Sequence, residues 1–107
     1  SPVVEAARDV VQRGIKEVLV TLGGAGAVLV NADGAWAATP PPATVKSTVG
    51  AGDAALAGYL LGRTQGQGPA DSLALSVAYG TAAAAKPGTQ FPRPEELDAA
   101  HTSISAL

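Results

Sequence analysis

The residues best suited to chemistry lie in Ser47-Thr48-Val49-Gly50-Ala51-Gly52-Asp53-Ala54-Ala55-Leu56-Ala57-Gly58. Small residues lead straight into a helical pattern, and an acid stands at its start. Glycines permit dihedrals closed to other residues and let a ligand approach the backbone closely. The first N–H groups of a helix lack intrahelical acceptors, and the helix dipole adds partial positive charge there. A phosphate fits such a place without any lysine. Asp53 is then anomalous, because a carboxylate repels phosphate. On local pattern alone it reads as a helix N-cap. Phosphoryl transfer gives the other reading: a base takes the proton of an attacking hydroxyl while nearby donors stabilise charge on the group in transit. In that chemistry Gly50, Ala51 and Gly52 form the anion hole and Asp53 is the catalytic base.

Two rival phosphate motifs can be weighed. The sequence has no G-x-x-x-x-G-K-[ST], so it holds no P-loop. Gly50 to Ala55 does match the loose dinucleotide form G-x-G-x-x-[GA], with Asp71 downstream. That form needs a buried parallel strand immediately before Gly50. The stretch Pro40 to Thr44 leaves little room for one, and Asp71 sits beside Pro69 at a helix start.

A second candidate is Thr21-Leu22-Gly23-Gly24-Ala25-Gly26, which closes an apolar strand. Ligands of open α/β sheets sit beyond strand carboxyl ends, although a tight turn explains the glycines equally well. The third is Ala82 to Thr89, where small side chains and Lys-Pro-Gly-Thr could wall a flat ring; close helix packing is the plainer explanation. His101 and Lys46 read as solvated residues, and Trp36 and Tyr79 as packing. Arg63 suits the C-terminal end of its helix, where the dipole favours a cation.

The elements that must position these residues follow from periodicity. Val3, Ala7, Val10 and Val11 recur at helical spacing, which predicts a helix from about Val3 to Arg13 capped by Gly14. Val18 to Leu22 is a continuous apolar run and reads as a buried strand of a parallel sheet covered on both faces. Ala27 to Val30 resumes the strand pattern. Asn31-Ala32-Asp33-Gly34 marks a hairpin turn and Ala35 to Thr39 its return strand. Pro40, Pro41 and Pro42 impose a loop. Helices are predicted from Ala54 to about Arg63, from Pro69 to near Lys86, and from Pro94 onward. The class is α/β with an incomplete sheet.

The chain has 107 residues, 47% hydrophobic and 15% charged, with a net charge of -2, which suits one small globular domain and no nucleic-acid partner. Without cysteine it has neither disulfides nor thiolate metal sites, and a cytoplasmic location is the expectation. No apolar run reaches the roughly 20 residues of a membrane span, so no membrane partner is expected. Nor is a signal-peptide pattern visible.

In this order the three stretches resemble the PfkB family of carbohydrate kinases. Gly50-Ala51-Gly52-Asp53 is similar to its C-terminal signature, Thr21-Leu22-Gly23-x-x-Gly26 to its nucleotide-contacting strand end, and Ala78-Tyr79-Gly80 with Lys86-Pro87-Gly88-Thr89 to its adenine-side helix and loop. Val49 before the signature and the Pro-Gly-Thr are most similar to the 1-phosphofructokinase branch. Tagatose-6-phosphate kinases and the minor 6-phosphofructokinases are close alternatives. The resemblance implies a ribokinase-like three-layer α/β/α sandwich, of which residues 1–107 are the C-terminal, nucleotide-binding part, without the N-terminal sugar-binding part and lid. It implies ATP-dependent phosphorylation of fructose 1-phosphate to fructose 1,6-bisphosphate. Asp53 would be the base and Gly50, Ala51 and Gly52 the anion hole. Thr21, Gly23, Gly24 and Gly26 would line the triphosphate and ribose, and Ala83, Lys86 and Gly88 the adenine. Mg²⁺ would bridge phosphate oxygens, with no metal ligand from this chain. Ser47 and Val49 replace the Asp and second Thr of the ribokinase branch. That argues against ribokinase itself and leaves a K⁺ site only if backbone carbonyls supply the ligands. The full-length protein is expected as a homodimer, and this chain alone as inactive. A non-catalytic nucleotide-binding module reusing the fold is the alternative.

Overall fold

A computed structural model of the chain describes residues 2–40, 50–85 and 102–107. It contains helix α1 (Pro2–Gln12), strands β1 (Glu17–Thr21), β2 (Ala27–Asn31) and β3 (Gly34–Thr39), helices α2 (Ala51–Thr64) and α3 (Pro69–Ala84), and strand β4 (Ser103–Ala106). The expected helix from Pro94 lies outside the described residues.

The strands form one sheet in the order β1-β2-β3-β4, and every pairing is antiparallel. The expectation of a parallel sheet is therefore corrected. Strand β1 is a half-buried edge strand with Val18 packed towards α1 and Leu19 towards the helix pair, and cover on both faces produces a continuous apolar run whichever way the neighbouring strand runs. The period of two along each strand sorts the side chains. Val28, Val30 and Ala35 face α1, where they pack with Val4 and Ala7. Ala27, Leu29 and Ala38 face the other side and pack with Tyr59 of α2 and Leu73 and Val77 of α3. Cross-strand partners keep to one face: Leu19 lies opposite Leu29, and Leu29 opposite Trp36. Helix, sheet and helix pair thus make three layers, with Leu29 and Leu73 fully enclosed. Each such leucine contributes roughly 1.5–3 kcal/mol by leaving water.

The β2–β3 turn falls where Asp-Gly marks it, but by another device. The loop is Ala32–Asp33, Asn31 pairs with Gly34, and the Asn31 Oδ1 accepts from the N–H groups of Asp33 (2.8 Å) and Gly34 (3.2 Å). An asparagine side chain closing its own turn does the work assigned to glycine.

Strand β4 has no counterpart among the expected elements. It adds to β3, with Thr39 opposite Ser103 and Trp36 opposite Ala106. No helix of the described residues is long and apolar enough to cross a membrane.

Helix α2 packs chiefly on α3, and α3 rests on β2 and β3. The small residues of both helices permit this close contact. A Cβ at Gly58 would stand 2.7 Å from Tyr79 Cδ2, and one at Gly62 would stand 2.9 Å from Ser72 Oγ. Trp36 is half-buried against the core and Tyr79 is buried, in keeping with their reading as packing residues.

Candidate active site

Helix α2 begins earlier than its apolar periodicity indicated. Gly50 is the N-cap, left-handed at φ 80° and ψ -5°, and Ala51, Gly52 and Asp53 form the first turn. Periodicity could not locate this start, because Ala51 and Gly52 carry too little side chain to show it. The left-handed N-cap is the reason for glycine at this position: a Cβ there meets none of the described residues, so backbone conformation selects it.

This geometry changes the reading of Asp53. The cap is Gly50, no side chain makes a capping hydrogen bond, and Asp53 is the third helical residue. Its N-cap role is therefore overturned. The Asp53 carboxylate is exposed in the first turn, where the dipole favours an anion. The first intrahelical bond runs from the Ala54 N–H to the Gly50 carbonyl at 2.9 Å. The N–H groups of Ala51, Gly52 and Asp53 consequently lack intrahelical acceptors, and a Cβ at Gly50 or Gly52 would meet none of the described residues. An oxyanion could approach this turn from outside the helix, with a carboxylate at its edge.

Thr21 ends β1 and is exposed. The 3-10 turn Gly23–Ala25 follows, tied by a bond from the Leu22 N–H to the Gly26 carbonyl (2.8 Å) and one from the Gly26 N–H to the Gly23 carbonyl (3.1 Å). A Cβ at Gly23 or Gly24 would meet none of the described residues, whereas Gly26 is buried. At φ 100° a Cβ on Gly26 would overlap the carbonyl oxygen of Ala38. Gly26 therefore has a structural reason of its own, and Gly23 and Gly24 keep the open backbone that a ligand needs.

Ala83 is buried against Ala54 and Tyr79 within the helix pair, as close helix packing requires. Lys86, Gly88, Lys46 and His101 lie outside the described residues, as do Ser47 and Val49. Residues 41–49, which bear on the dinucleotide reading, also lie outside them; Asp71 is exposed in the first turn of α3. Among the described residues no group of three His, Cys, Asp or Glu side chains could hold a metal ion.

One cluster escaped the sequence reading. Glu17 opens β1, and its Oε1 accepts from the Tyr59 hydroxyl at 2.8 Å. Its Oε2 accepts from Asn31 Nδ2 at 3.2 Å and lies 3.8 Å from Arg63 Nη2. Burial pushes the Tyr59 phenol well above the ordinary tyrosine range, and the hydrogen bond and charge of Glu17 push it further, with Arg63 opposing. Arg63 does stand in the last turn of its helix as read, and its Nη1 donates to the Gln67 carbonyl at 3.3 Å. Nothing local in the sequence ties Glu17 to Tyr59.

Comparison with known proteins identifies the family and the fold. The family model described as pfkB family carbohydrate kinase matches residues 2–96. A 1-phosphofructokinase of Rhodobacter capsulatus is 40% identical over 94% of the chain and 32% of its own length. A fructoselysine 6-kinase of Escherichia coli is 42% identical over 74% of the chain and 29% of its own length. Among solved structures, phosphofructokinase-2 of Escherichia coli in complex with potassium superposes with a TM-score of 0.84, at 33% identity over 88% of the chain and 31% of that protein. Ribokinase of Thermotoga maritima superposes with a TM-score of 0.82, at 26% identity over 88% of the chain and 32% of that protein. The chain thus spans about a third of the length of the relatives it matches.

Proposed function

This chain belongs to the pfkB family of carbohydrate kinases, and on that premise we propose that it is the nucleotide-binding and catalytic-base part of an ATP-dependent sugar-phosphate kinase. The acceptor proposed is fructose 1-phosphate and the product fructose 1,6-bisphosphate. The observation that carries the reading is the first turn of α2, where three amides without helical acceptors adjoin an exposed Asp53 whose carboxylate caps nothing.

In the proposed reaction the Asp53 carboxylate accepts the proton of the acceptor hydroxyl. The hydroxyl oxygen bonds to the γ-phosphorus of ATP, and the bond from that phosphorus to the bridging oxygen breaks, releasing ADP. The amides of Gly50, Ala51, Gly52 and Asp53 stabilise the charge on the phosphoryl oxygens in transit. Thr21, Gly23 and Gly24 are assigned to the triphosphate and ribose, and Lys86 and Gly88 to the adenine; Gly26 and Ala83, assigned to the same walls from the sequence, are buried and serve packing instead. Mg²⁺ is proposed to enter with ATP; no group of three His, Cys, Asp or Glu side chains among the described residues would hold it alone, and no step is assigned to it. For K⁺, the potassium complex of the Escherichia coli relative is the support, and backbone carbonyls are the proposed ligands. A homodimer of the full-length protein is likewise proposed from the family.

The fructoselysine 6-kinase relative favours a second acceptor class, a sugar carrying an amino-linked group in place of the phosphate. Tagatose 6-phosphate and fructose 6-phosphate are further acceptors to compare. A non-catalytic nucleotide-binding module is disfavoured by Asp53, since such a module gains nothing from a carboxylate beside phosphate.

The test is ADP release from MgATP by a full-length kinase containing this segment, with each acceptor in turn, beside Asp53→Ala. The expected result is highest kcat/KM with fructose 1-phosphate. Turnover should fall by about 10²–10⁴-fold in the variant while ATP binding is kept. Equal turnover in both proteins would reduce Asp53 to a surface acid, whereas ATP binding with no turnover on any acceptor would favour the binding module. The 107-residue chain alone should be inactive, since nothing in it is assigned to orient the acceptor hydroxyl.

A further inference from the structure

The two halves of the candidate site stand on different elements. Thr21 and the glycine turn end β1, and Asp53 opens α2. Because α2 packs chiefly on α3, its own seat on the sheet is narrow. One part of that seat is the Tyr59 ring, buried with Leu29 and Ala38. The other is the Glu17 carboxylate, which holds Tyr59 Oη at 2.8 Å, Asn31 Nδ2 at 3.2 Å and Arg63 Nη2 at 3.8 Å.

These two contacts differ in what they fix. Apolar packing tolerates small slides, whereas hydrogen bonds weaken steeply as distance and angle depart from their optimum. Tyr59 and Arg63 are four residues apart, one above the other on a single face of α2. The Tyr59 hydrogen bond restrains the slide of the helix along its axis and its rotation about it, and the partly exposed Arg63 ion pair at 3.8 Å adds a weaker restraint on the same face. Asn31 in turn holds that carboxylate from the neighbouring strand. Asp53 lies less than two turns upstream of Tyr59, roughly 9 Å along the axis, and a rigid helix carries the setting to it.

We infer that Glu17, acting through Tyr59 and Arg63, is a positioning residue for phosphoryl transfer, setting the register of α2 against β1 and so the placement of Asp53 relative to the Thr21–Gly26 turn. This rests on the reading of Asp53 as the base. A displacement of about 1 Å between reacting groups can cost on the order of 100-fold in rate, so a clamp this far from the chemistry can govern kcat.

The experiment measures kcat, KM for both substrates and the melting temperature in a full-length kinase containing this segment. The proteins are wild type, Glu17→Ala, Glu17→Gln, Tyr59→Phe, Asp53→Ala and the Glu17→Ala/Asp53→Ala pair. Glu17→Ala should lower kcat about 10- to 100-fold with KM for ATP nearly unchanged. Glu17→Gln, which keeps an acceptor for Tyr59, should recover most of that loss. In the Asp53→Ala background Glu17→Ala should cost little more, because no base remains to be placed. A purely structural role would lower stability and cut both backgrounds alike. Unchanged kcat in a folded Glu17→Ala protein, or equal losses in both backgrounds, overturns the inference. Should Glu17→Ala fail to fold, Tyr59→Phe decides in its place, since it removes a single hydroxyl from an otherwise intact core; its kcat should fall and its KM for ATP should hold. Wild-type turnover in Asp53→Ala would overturn the base reading and this inference with it. Strong dependence on Asp53 with none on Glu17 or Tyr59 would overturn the positioning role alone.

Discussion

The Ser76 Oγ donates to the carbonyl oxygen of Ala55 at 2.8 Å in the dry seam between α3 and α2. Ser76 is fully buried, so this bond satisfies a hydroxyl that has no access to water. A turn further along α2, Gly58 faces the Leu75 carbonyl and the Tyr79 ring, and a Cβ there would lie 2.8 Å and 2.7 Å from them. Leu75 contributes backbone, which cannot swing aside as a side chain can. Gly58→Ala is therefore expected to lower stability by about 1–3 kcal/mol through overpacking, despite the better helix propensity of alanine. Ser76→Ala should cost only about 0.5–1.5 kcal/mol, because the Ala55 carbonyl keeps its helical partner. Urea unfolding of both variants checks the order; a Gly58→Ala protein at least as stable as wild type would contradict the seam geometry.

Gly26 and Gly23 share a turn but should respond differently to alanine. Gly26 has φ 100°, and a methyl there would overlap the Ala38 carbonyl. Gly23 has φ 60°, and a methyl there would meet none of the described residues. Gly23→Ala should cost roughly 1–2 kcal/mol, the penalty of a left-handed L-residue. Gly26→Ala should exceed that by about 1–3 kcal/mol. Thermal melts of the pair test it, and ATP titration should show Gly23→Ala to be the more harmful to affinity relative to its stability loss.

The raised pKa of Tyr59 makes an alkaline signature. Its phenol is held protonated by burial first and by Glu17 next, with Arg63 opposing. In the unfolded chain the same phenol titrates near pH 10. The folded value being the higher, the associated stability is complete below about pH 10 and is lost as pH rises above it, at up to about 1.4 kcal/mol per pH unit. Urea midpoints measured from pH 9 to pH 11 should therefore fall more steeply in wild type than in Tyr59→Phe. Parallel slopes would show that the phenol is not restrained by the fold.

These sites differ in how far the sequence announces them. Helices α1 and α3 follow from helical spacing, and the β2–β3 hairpin from a short apolar run closed by turn residues, although β2 is buried on both faces and does not alternate. The direction of β1 was misjudged because cover on both faces erases alternation and leaves nothing to distinguish a parallel from an antiparallel neighbour. Asp53 was found by its glycine context, but its place within the first turn depended on where two side-chain-poor residues begin to coil. Glu17 and Tyr59 meet across 42 residues, a distance at which no local pattern operates. Strand β4 left no trace because all its residues are exposed, and a strand with neither face buried imposes no alternation on its sequence.

That fourth strand also bears on the order in which the chain assembles. Strands β1, β2 and β3 pair with near neighbours, and α2 and α3 form an adjacent hairpin, so each of these units closes a short loop. Strand β4 follows both helices in the chain and must come back past them to lie against β3, and the entropy of closing so long a loop has to be met before the pairing returns anything. The helix pair meanwhile has to settle on the same sheet. Addition of β4 therefore belongs late in folding, and its few backbone bonds are the first to open when the native state fluctuates.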